Sequence, residues 1–384
     1  MLQRVCDEEN AGLFVSTYYT APVGTPSVML VYDMIPERLG LDMSDPVWDE
    51  KREAIEHASS YVCISENTRR DLLELEPGTA GRPAHVVLLG VDPSFYPATV
   101  DEVAAFRREH SLQHPYVLVV GDRRGVNGYK NVELVFRAFG TWADAGECEI
   151  VCVGGHPEVE PELRRTAPRA QVRRLDLTDA ELRLAYAGAV ALAYPSRYEG
   201  FGLPIAEAMA SGCPVIATFV ASVPEVAGDA AIYVDPDDPV ELAKAFDTVR
   251  EPTRRAAMIA AGLQRASIFE WQTAASAFAS LLADAALPEA EADRSARMAF
   301  WQARRETQAR TQAVHRATQH SRPPETSPSG GSPALRRLKE LALLHLPPWA
   351  VRRLRSLKAA LGNRRIARSM AGGRRRVGRA LERR

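Results

Sequence analysis

Residues 193–235 read A-Y-P-S-R-Y-E-G-F-G-L-P-I-A-E-A-M-A-S-G-C-P-V-I-A-T-F-V-A-S-V-P-E-V-A-G-D-A-A-I-Y-V-D. The apolar run at 190–194 predicts a buried strand. A loop then carries Glu199 into Gly200-Phe201-Gly202-Leu203-Pro204, and a helix is predicted over about 205–210, closed by Ser211-Gly212. The apolar run at 214–218 is the next strand. Strand, glycine-rich turn and helix in this order aim a helix N-terminus out of a sheet. The glycines let backbone approach a ligand closely, and the free N–H groups of the first turn favour oxygen-rich, anionic partners. Glu199 stands just before the helix and Glu207 about two turns further on. Carboxylates so placed can each accept a pair of sugar or ribose hydroxyls.

The form E-G-F-G-L-P-x-x-E-A-M-A-x-G-x-P-V-I-A, followed by S-x-P-E-V-x-G-D-A-A, resembles the donor site of retaining GT-B glycosyltransferases of the GT4 class. A bare E-x7-E is weak evidence; the extended string is specific. The resemblance implies an α/β, GT-B-like fold of two Rossmann-like domains with parallel sheets. It also implies a nucleotide-sugar donor, with Glu207 on the ribose hydroxyls and Glu199 on the donor-sugar hydroxyls. The amides of Gly200, Phe201, Gly202 and Leu203 would approach sugar and phosphate. Glu225, in S-V-P-E-V, reads as structural, capping a short helix.

Outward from this stretch the pattern stays regular. Strands are predicted at 116–120, 149–153, 172–175, 190–194, 214–218 and 231–234, alternating with helices, one of them opened by the capping box Thr178-Asp179-Ala180-Glu181. Apolar strands spaced by helices mean a parallel sheet covered on both faces, with ligands beyond the carboxyl ends of its strands. Gly121-Asp122-Arg123-Arg124-Gly125 and Gly128-Tyr129-Lys130-Asn131 follow the first of these strands. Transfer from a nucleotide sugar leaves a diphosphate with extra negative charge, to be met by fixed cations and helix N-termini. No D-x-D motif is positioned to hold a divalent ion, so no metal and no cofactor is expected. Arg123 and Lys130 match the Arg and Lys of the family's G-x-R-x-G-Y-K-N, with Arg124 as an understudy. The plainer reading of each is a solvated loop charge, and of Glu207 an exposed helix carboxylate. The apolar setting I-A-E-A-M-A counts against the latter, because a buried carboxylate needs partners. The base is placed against the Arg174-Leu175-Asp176 turn, with Leu175 the expected contact; Asp176 stands where the family usually has Gly.

Before residue 111 the pattern thins. Residues 1–27 read as loop, strands are predicted at 28–32, 61–64 and 86–89, and a helix at 46–58. Pro36 is expected to stop any helix at the residue before it, while Ser65 is expected to N-cap E-N-T-R-R-D-L-L-E-L. Y-D-M-I-P, I-S-E-N-T-R-R-D-L and L-G-V-D-P-S-F-Y-P resemble the second half of a GT-B N-terminal domain. Tyr32 replaces the family's usual His. On the acceptor side, Tyr32 can hydrogen-bond but not act as acid and base near neutral pH, and Asp33 either orients a hydroxyl or caps the turn. Three strands are fewer than the ~6 of a full Rossmann-like sheet. The expectation is therefore a partial acceptor-side domain over 1–110, from a truncated product, an internal start, or a fold completed by a second chain. A nucleotide-sugar-binding domain spans 111–286, with 270–286 crossing back through an F-x-W lead at Phe269.

Net charge is −1 over 384 residues but badly distributed. Residues 300–384 hold 21 Lys and Arg against four Asp and Glu, whereas 1–299 hold 27 against 45. Residues 287–384 read as a basic tail with a Pro/Ser/Gly linker at 321–333. Within 334–384, Trp349, Ala350, Leu354, Leu357 and Leu361 fall on one helical face with Arg and Lys largely elsewhere. This suits an anionic membrane surface; non-specific polyanion affinity and a solvated tail are the rivals, and no specific nucleic acid is expected. Cys6, Cys63, Cys148, Cys152 and Cys213 form no C-x-x-C pair and read as buried apolar residues. No run approaches the ~20 apolar residues of a membrane span and no secretory signal opens the chain, so a cytoplasmic place, peripheral at the inner face of a membrane, is expected. The implied function is a metal-independent, retaining hexosyl transfer to a glycan or lipid-linked acceptor in bacterial surface polysaccharide synthesis. The alternative is a non-catalytic remnant or subunit that binds nucleotide sugar without turnover.

Overall fold

The computed structural model describes residues 2–17, 19–22, 24–123 and 125–286, with positions 299, 303, 306 and 310. Arg124, the 321–333 linker and the basic stretch at 334–384 lie outside the described residues. Ten strands, all paired in parallel, form two sheets among those described.

The first sheet runs β1 (Phe14–Ser16), β2 (Ser27–Val31), β3 (Ser60–Cys63), β4 (Ala84–Val86), in that spatial order. Met29, Val31, Tyr61 and Cys63 pack with Ile55 of the Pro46–His57 helix and Leu72 of the Glu66–Leu75 helix. The second sheet holds β5 (Tyr116–Val120), β6 (Glu149–Val153), β7 (Gln171–Leu175), β8 (Ala191–Tyr194), β9 (Val215–Thr218) and β10 (Ala231–Val234), ordered β10-β9-β8-β5-β6-β7. Side chains alternate across a strand. Tyr116, Leu118 and Val120 accordingly join one buried cluster while Val117 and Val119 join the other. Burial on both faces is why β5 is an unbroken apolar run. The helices Asp179–Gly188 and Leu203–Ala210 cover the first face, and Val132–Thr141 and Pro239–Arg250 the second. From β5 the chain winds outward to β7, then returns to the far side of β5 with β8. The strand order reverses between β5 and β8, and beyond the carboxyl ends at such a switch point lies the usual ligand position in doubly wound sheets.

Several local expectations change. Residues 1–27 contain a helix, Leu2–Glu8, and the edge strand β1. Three residues are too few to display a period, so four strands rather than three make the first sheet. Pro36 does not end a helix; it sits in the first turn of Ile35–Arg38, where its missing N–H costs nothing. The strand expected at 86–89 lies at Ala84–Val86. The apolar Leu88, Leu89 and Val91 pack instead against the core of the larger sheet, on the segment joining the two halves. There Val91 N–H donates to Phe269 O at 2.8 Å, so the Trp271–Ala285 helix starts against that connection. The Val100–Glu109 helix, opened by a Thr99–Glu102 capping box, packs on the larger sheet: Phe106 shares a cluster with Leu182 and Tyr186, and Arg183 meets Glu102 at 2.7 Å.

Ser65 does cap its helix, accepting from Thr68 N–H, and Thr178 and Glu181 form the expected capping box. All five cysteines are free and buried; burial pushes the Cys63, Cys148 and Cys213 thiols up to about 12 and Cys152 to about 11. Among the described residues no helix is long and apolar enough to cross a membrane.

Candidate functional site

The loop after β8 is shaped by two glycines for different reasons. Gly202 has φ +107°, a left-handed value that an L side chain rarely adopts, and it opens the Leu203–Ala210 helix with Pro204 in the first turn. Gly200 lies against the end of β2, where a Cβ would run into the Tyr32 carbonyl and stand 2.8 Å from Asp33 Cβ. The loop's carbonyls point into the protein. Ser222 Oγ lies 2.9 and 3.0 Å from the Glu199 and Phe201 oxygens, and the Ser65 and Thr68 hydroxyls donate to Gly200 O at 2.7 and 3.1 Å. In a trans peptide the next N–H points opposite to the carbonyl. The N–H groups of Gly200, Phe201 and Gly202 therefore point away from the hydroxyls that hold these carbonyls; in the first turn that follows, Pro204 has no N–H and Ile205 N–H donates to Gly202 O at 2.9 Å.

The β5 loop meets this one from across the switch point. Lys130 Nζ donates to Glu199 Oε1 at 2.7 Å and to the Tyr194 hydroxyl at 3.3 Å, and lies over the Tyr129 and Tyr194 rings. Two fasteners hold the loops together: Arg197 N–H donates to Tyr129 O at 2.8 Å, and Asn131 Nδ2 to Pro195 O and Pro236 O at 3.0 and 2.8 Å. Burial, and next the Glu199 charge, hold the Tyr194 hydroxyl well above its usual value, so it stays neutral. Glu207 is buried, as its apolar setting predicts, and accepts from the Tyr186 hydroxyl at 3.0 Å.

Arg123 is placed differently. Its side chain is 0% exposed and turned to the 154–160 loop, with Nε 3.3 Å from Glu160 and Nη atoms on the carbonyls of Gly154, His156 and Glu158. The structure thus brings Lys130, Glu199 and the loop amides together but leaves Arg123 on the neighbouring loop. Leu175 ends β7 half-buried, and Arg174 bonds Gly155 O at 3.2 Å while the Asp176 side chain is mostly exposed. On the side of the first sheet, Asp33 Oδ1 accepts Ile35 N–H at 3.0 Å, so it caps the turn, and burial raises the Tyr32 hydroxyl. Of the described acidic and imidazole groups, Glu109, His110 and Glu181 come close enough together to hold an ion; they lie on the two helices facing the larger core, not on the loops at the switch point.

Sequence reading missed several participants. Tyr194 and Ser222 lie inside the decisive stretch but were absorbed into a strand and a loop, and Ser65 was read only as a cap. Lys51, buried on Glu37 at 2.9 Å and on Asp33 O at 3.2 Å, carries no local signal, because its partners sit 14 and 18 residues away. Glu225 does cap a helix as expected, though it is the Glu66–Leu75 helix of the other half, through Glu66 N–H and Asn67 N–H at 2.7 Å each.

Residues 114–251 match the family model described as Glycosyl transferases group 1. O-antigen chain mannosyltransferase B of Escherichia coli is 43% identical over 95 residues, 24% of this chain and 25% of that protein, so the chain spans about a quarter of that relative's length. Among solved structures, sucrose-phosphate synthase from Thermosynechococcus elongatus superposes with TM-score 0.61 at 19% identity, covering 74% of this chain and 76% of its own. Anabaena Alr3699/HepE in complex with UDP-glucose gives 0.56 at 21% identity, covering 68% and 72%. The architecture is that of GT-B proteins.

Proposed function

Through residues 114–251 the chain belongs to the glycosyl transferases group 1 family, and on that footing we propose that it transfers a hexose from a nucleotide-sugar donor, with retention, to a glycan or lipid-linked acceptor in the synthesis of a bacterial surface polysaccharide. The observation that carries this reading is the Lys130–Glu199 pair, 2.7 Å apart at the switch point and next in sequence to the Gly200–Gly202 loop. Glu207 takes the ribose hydroxyls and Glu199 the sugar hydroxyls, and Leu203 adds a first-turn amide. As the bond from anomeric carbon to phosphate oxygen breaks, its electron pair leaves on the diphosphate. Lys130, exchanging Glu199 for a phosphate oxygen, and the amides meet that charge. The acceptor oxygen bonds the anomeric carbon on the same face, and its proton passes to the departing phosphate. The fixed cation in this scheme is a side chain rather than a metal ion. Arg123 supports the adjoining loop, and Tyr32 and Asp33 border the acceptor side. A UDP-glucose complex of a structural neighbour and an O-antigen mannosyltransferase among the relatives support the donor and product classes. The cytoplasmic place and the anionic surface for residues 334–384 rest on sequence.

A thermal-shift panel of UDP-, GDP-, ADP- and dTDP-sugars tests the donor site, with Glu207→Ala as control. Ligand at ~100 times its dissociation constant stabilises by about 2.7 kcal/mol. One nucleotide raising the melting temperature, and failing to do so in the control, is the expected result. No response to any of the four overturns it.

A further inference from the structure

We infer that Ser65 and Thr68, both in the β1–β4 half, are positioning residues for the donor loop of the β5–β10 half. The inference rests on the donor reading above. Gly200 O accepts from both hydroxyls, at 2.7 and 3.1 Å, across 135 and 132 residues of chain. That carbonyl belongs to the peptide whose N–H, on Phe201, faces the proposed sugar and phosphate. Two donors on one oxygen fix the rotation of the peptide plane, and so the aim of the amide at its other end.

The clamp is built from both sides. Glu225, from the larger half, accepts Glu66 N–H and Asn67 N–H at 2.7 Å each, holding the start of the helix that carries Thr68. The Tyr198 hydroxyl, one residue before Glu199, donates to Asp71 and accepts from Asn67 Nδ2 at 2.9 Å on the same helix. Gly200 itself leaves no space for a Cβ beside the Tyr32 carbonyl, so the loop and the end of β2 fit only at this separation. The absent Cβ, the paired hydroxyls and the reciprocal cap together make the amide geometry a product of both halves. If the halves part, Gly200 O loses both donors and its peptide is released. Because the linkage is reciprocal, a ligand that needs the aimed amides favours the clamped arrangement.

The test compares two ligands on the full chain. A nucleotide sugar engages the loop amides, whereas the matching nucleoside monophosphate engages chiefly the Glu207 side. Wild-type affinity for the sugar nucleotide is measured first by calorimetry; no binding there sinks the donor reading itself. Given binding, the combined Ser65→Ala, Thr68→Val variant is expected to weaken the nucleotide sugar about tenfold while changing the monophosphate less than about twofold. Ser65→Thr, which keeps the hydroxyl, restores the wild-type ratio. Glu225→Gln loosens the clamp from the opposite half and serves where loss of the Ser65 cap prevents folding; it is expected to shift the same ratio in the same direction. An unchanged nucleotide-sugar affinity, or equal losses for both ligands, overturns the positioning role while leaving the donor site standing.

Discussion

Arg123 and Lys130 stand at the two ends of one loop, seven residues apart in the sequence, and have opposite fates. The Arg123 guanidinium is completely covered and shared among Glu160 and three carbonyls of the 154–160 loop. The Lys130 side chain is 18% exposed, and its ammonium leans on a carboxylate that is itself a candidate ligand group. A planar fork suits several acceptors at fixed angles, and once they are filled it has little left to offer a ligand. A point charge on a flexible stem can exchange one oxygen partner for another at little geometric cost. One end of the loop holds structure, and on the proposed reading the other changes partners.

The sharpest way to break that contrast is Arg123→Ala. Losing Arg123 removes the cation it offers Glu160 and strips the carbonyls of Gly154, His156 and Glu158 of the donor they share. Denaturant unfolding is expected to register a loss of ~3–5 kcal/mol, with Arg123→Lys recovering only part because an ammonium cannot span the same acceptors. A stability change under ~1 kcal/mol, accompanied by lost nucleotide binding, would move Arg123 to the ligand side. Lys130→Ala is expected to show the reverse balance. Nucleotide-sugar affinity falls about 100-fold, equivalent to ~2.7 kcal/mol, while unfolding changes less than in the Arg123 variant because Glu199 keeps the Tyr194 hydroxyl.

Tyr194→Phe sharpens the Lys130 end and has the smallest effect, ~1 kcal/mol for one hydroxyl. It also carries a pH signature. A tyrosine in the unfolded chain ionises near pH ~10, whereas burial and Glu199 hold the folded Tyr194 well above that. Below pH ~10 both states keep the proton and Tyr194 adds no pH dependence. Above it the unfolded state loses a proton that the folded state retains, so stability falls as pH rises. Removing the hydroxyl should make the alkaline limb of a stability–pH curve shallower by up to ~1.4 kcal/mol per pH unit. An unchanged slope would mean that Tyr194 is not sealed in the folded state.

Legibility differed sharply between the two sheets. In the larger one, strands β5, β6 and β10 were readable to the residue, since burial on both faces writes an apolar run bounded by turn residues. In the smaller sheet, β1 is three residues long with only Ser16 buried, and the Leu88–Leu89 pair looked like strand because it is buried for another purpose. The site divides in the same way. Glu199, Glu207 and Gly202 could be found because they lie in one contiguous string, and Lys130 because it lies in a second short motif just after β5. Ser65, Thr68 and Lys51 could not, because what makes them matter is a partner on a distant segment.

The sequence by itself determined the order of strands and helices around the decisive stretch, the place of the glycine-rich turn before the helix and the burial of Glu207. Each of these follows from local periodicity, backbone sterics or neighbouring residue types. Only the tertiary structure decided that Arg123 serves the 154–160 loop, that Lys130 pairs with Glu199, and that Glu225 caps a helix in the opposite half. Side chains of one chemistry become structural or exchangeable according to how many fixed acceptors the fold brings within hydrogen-bond reach. That number is set by loops converging at a switch point from strands far apart in the chain.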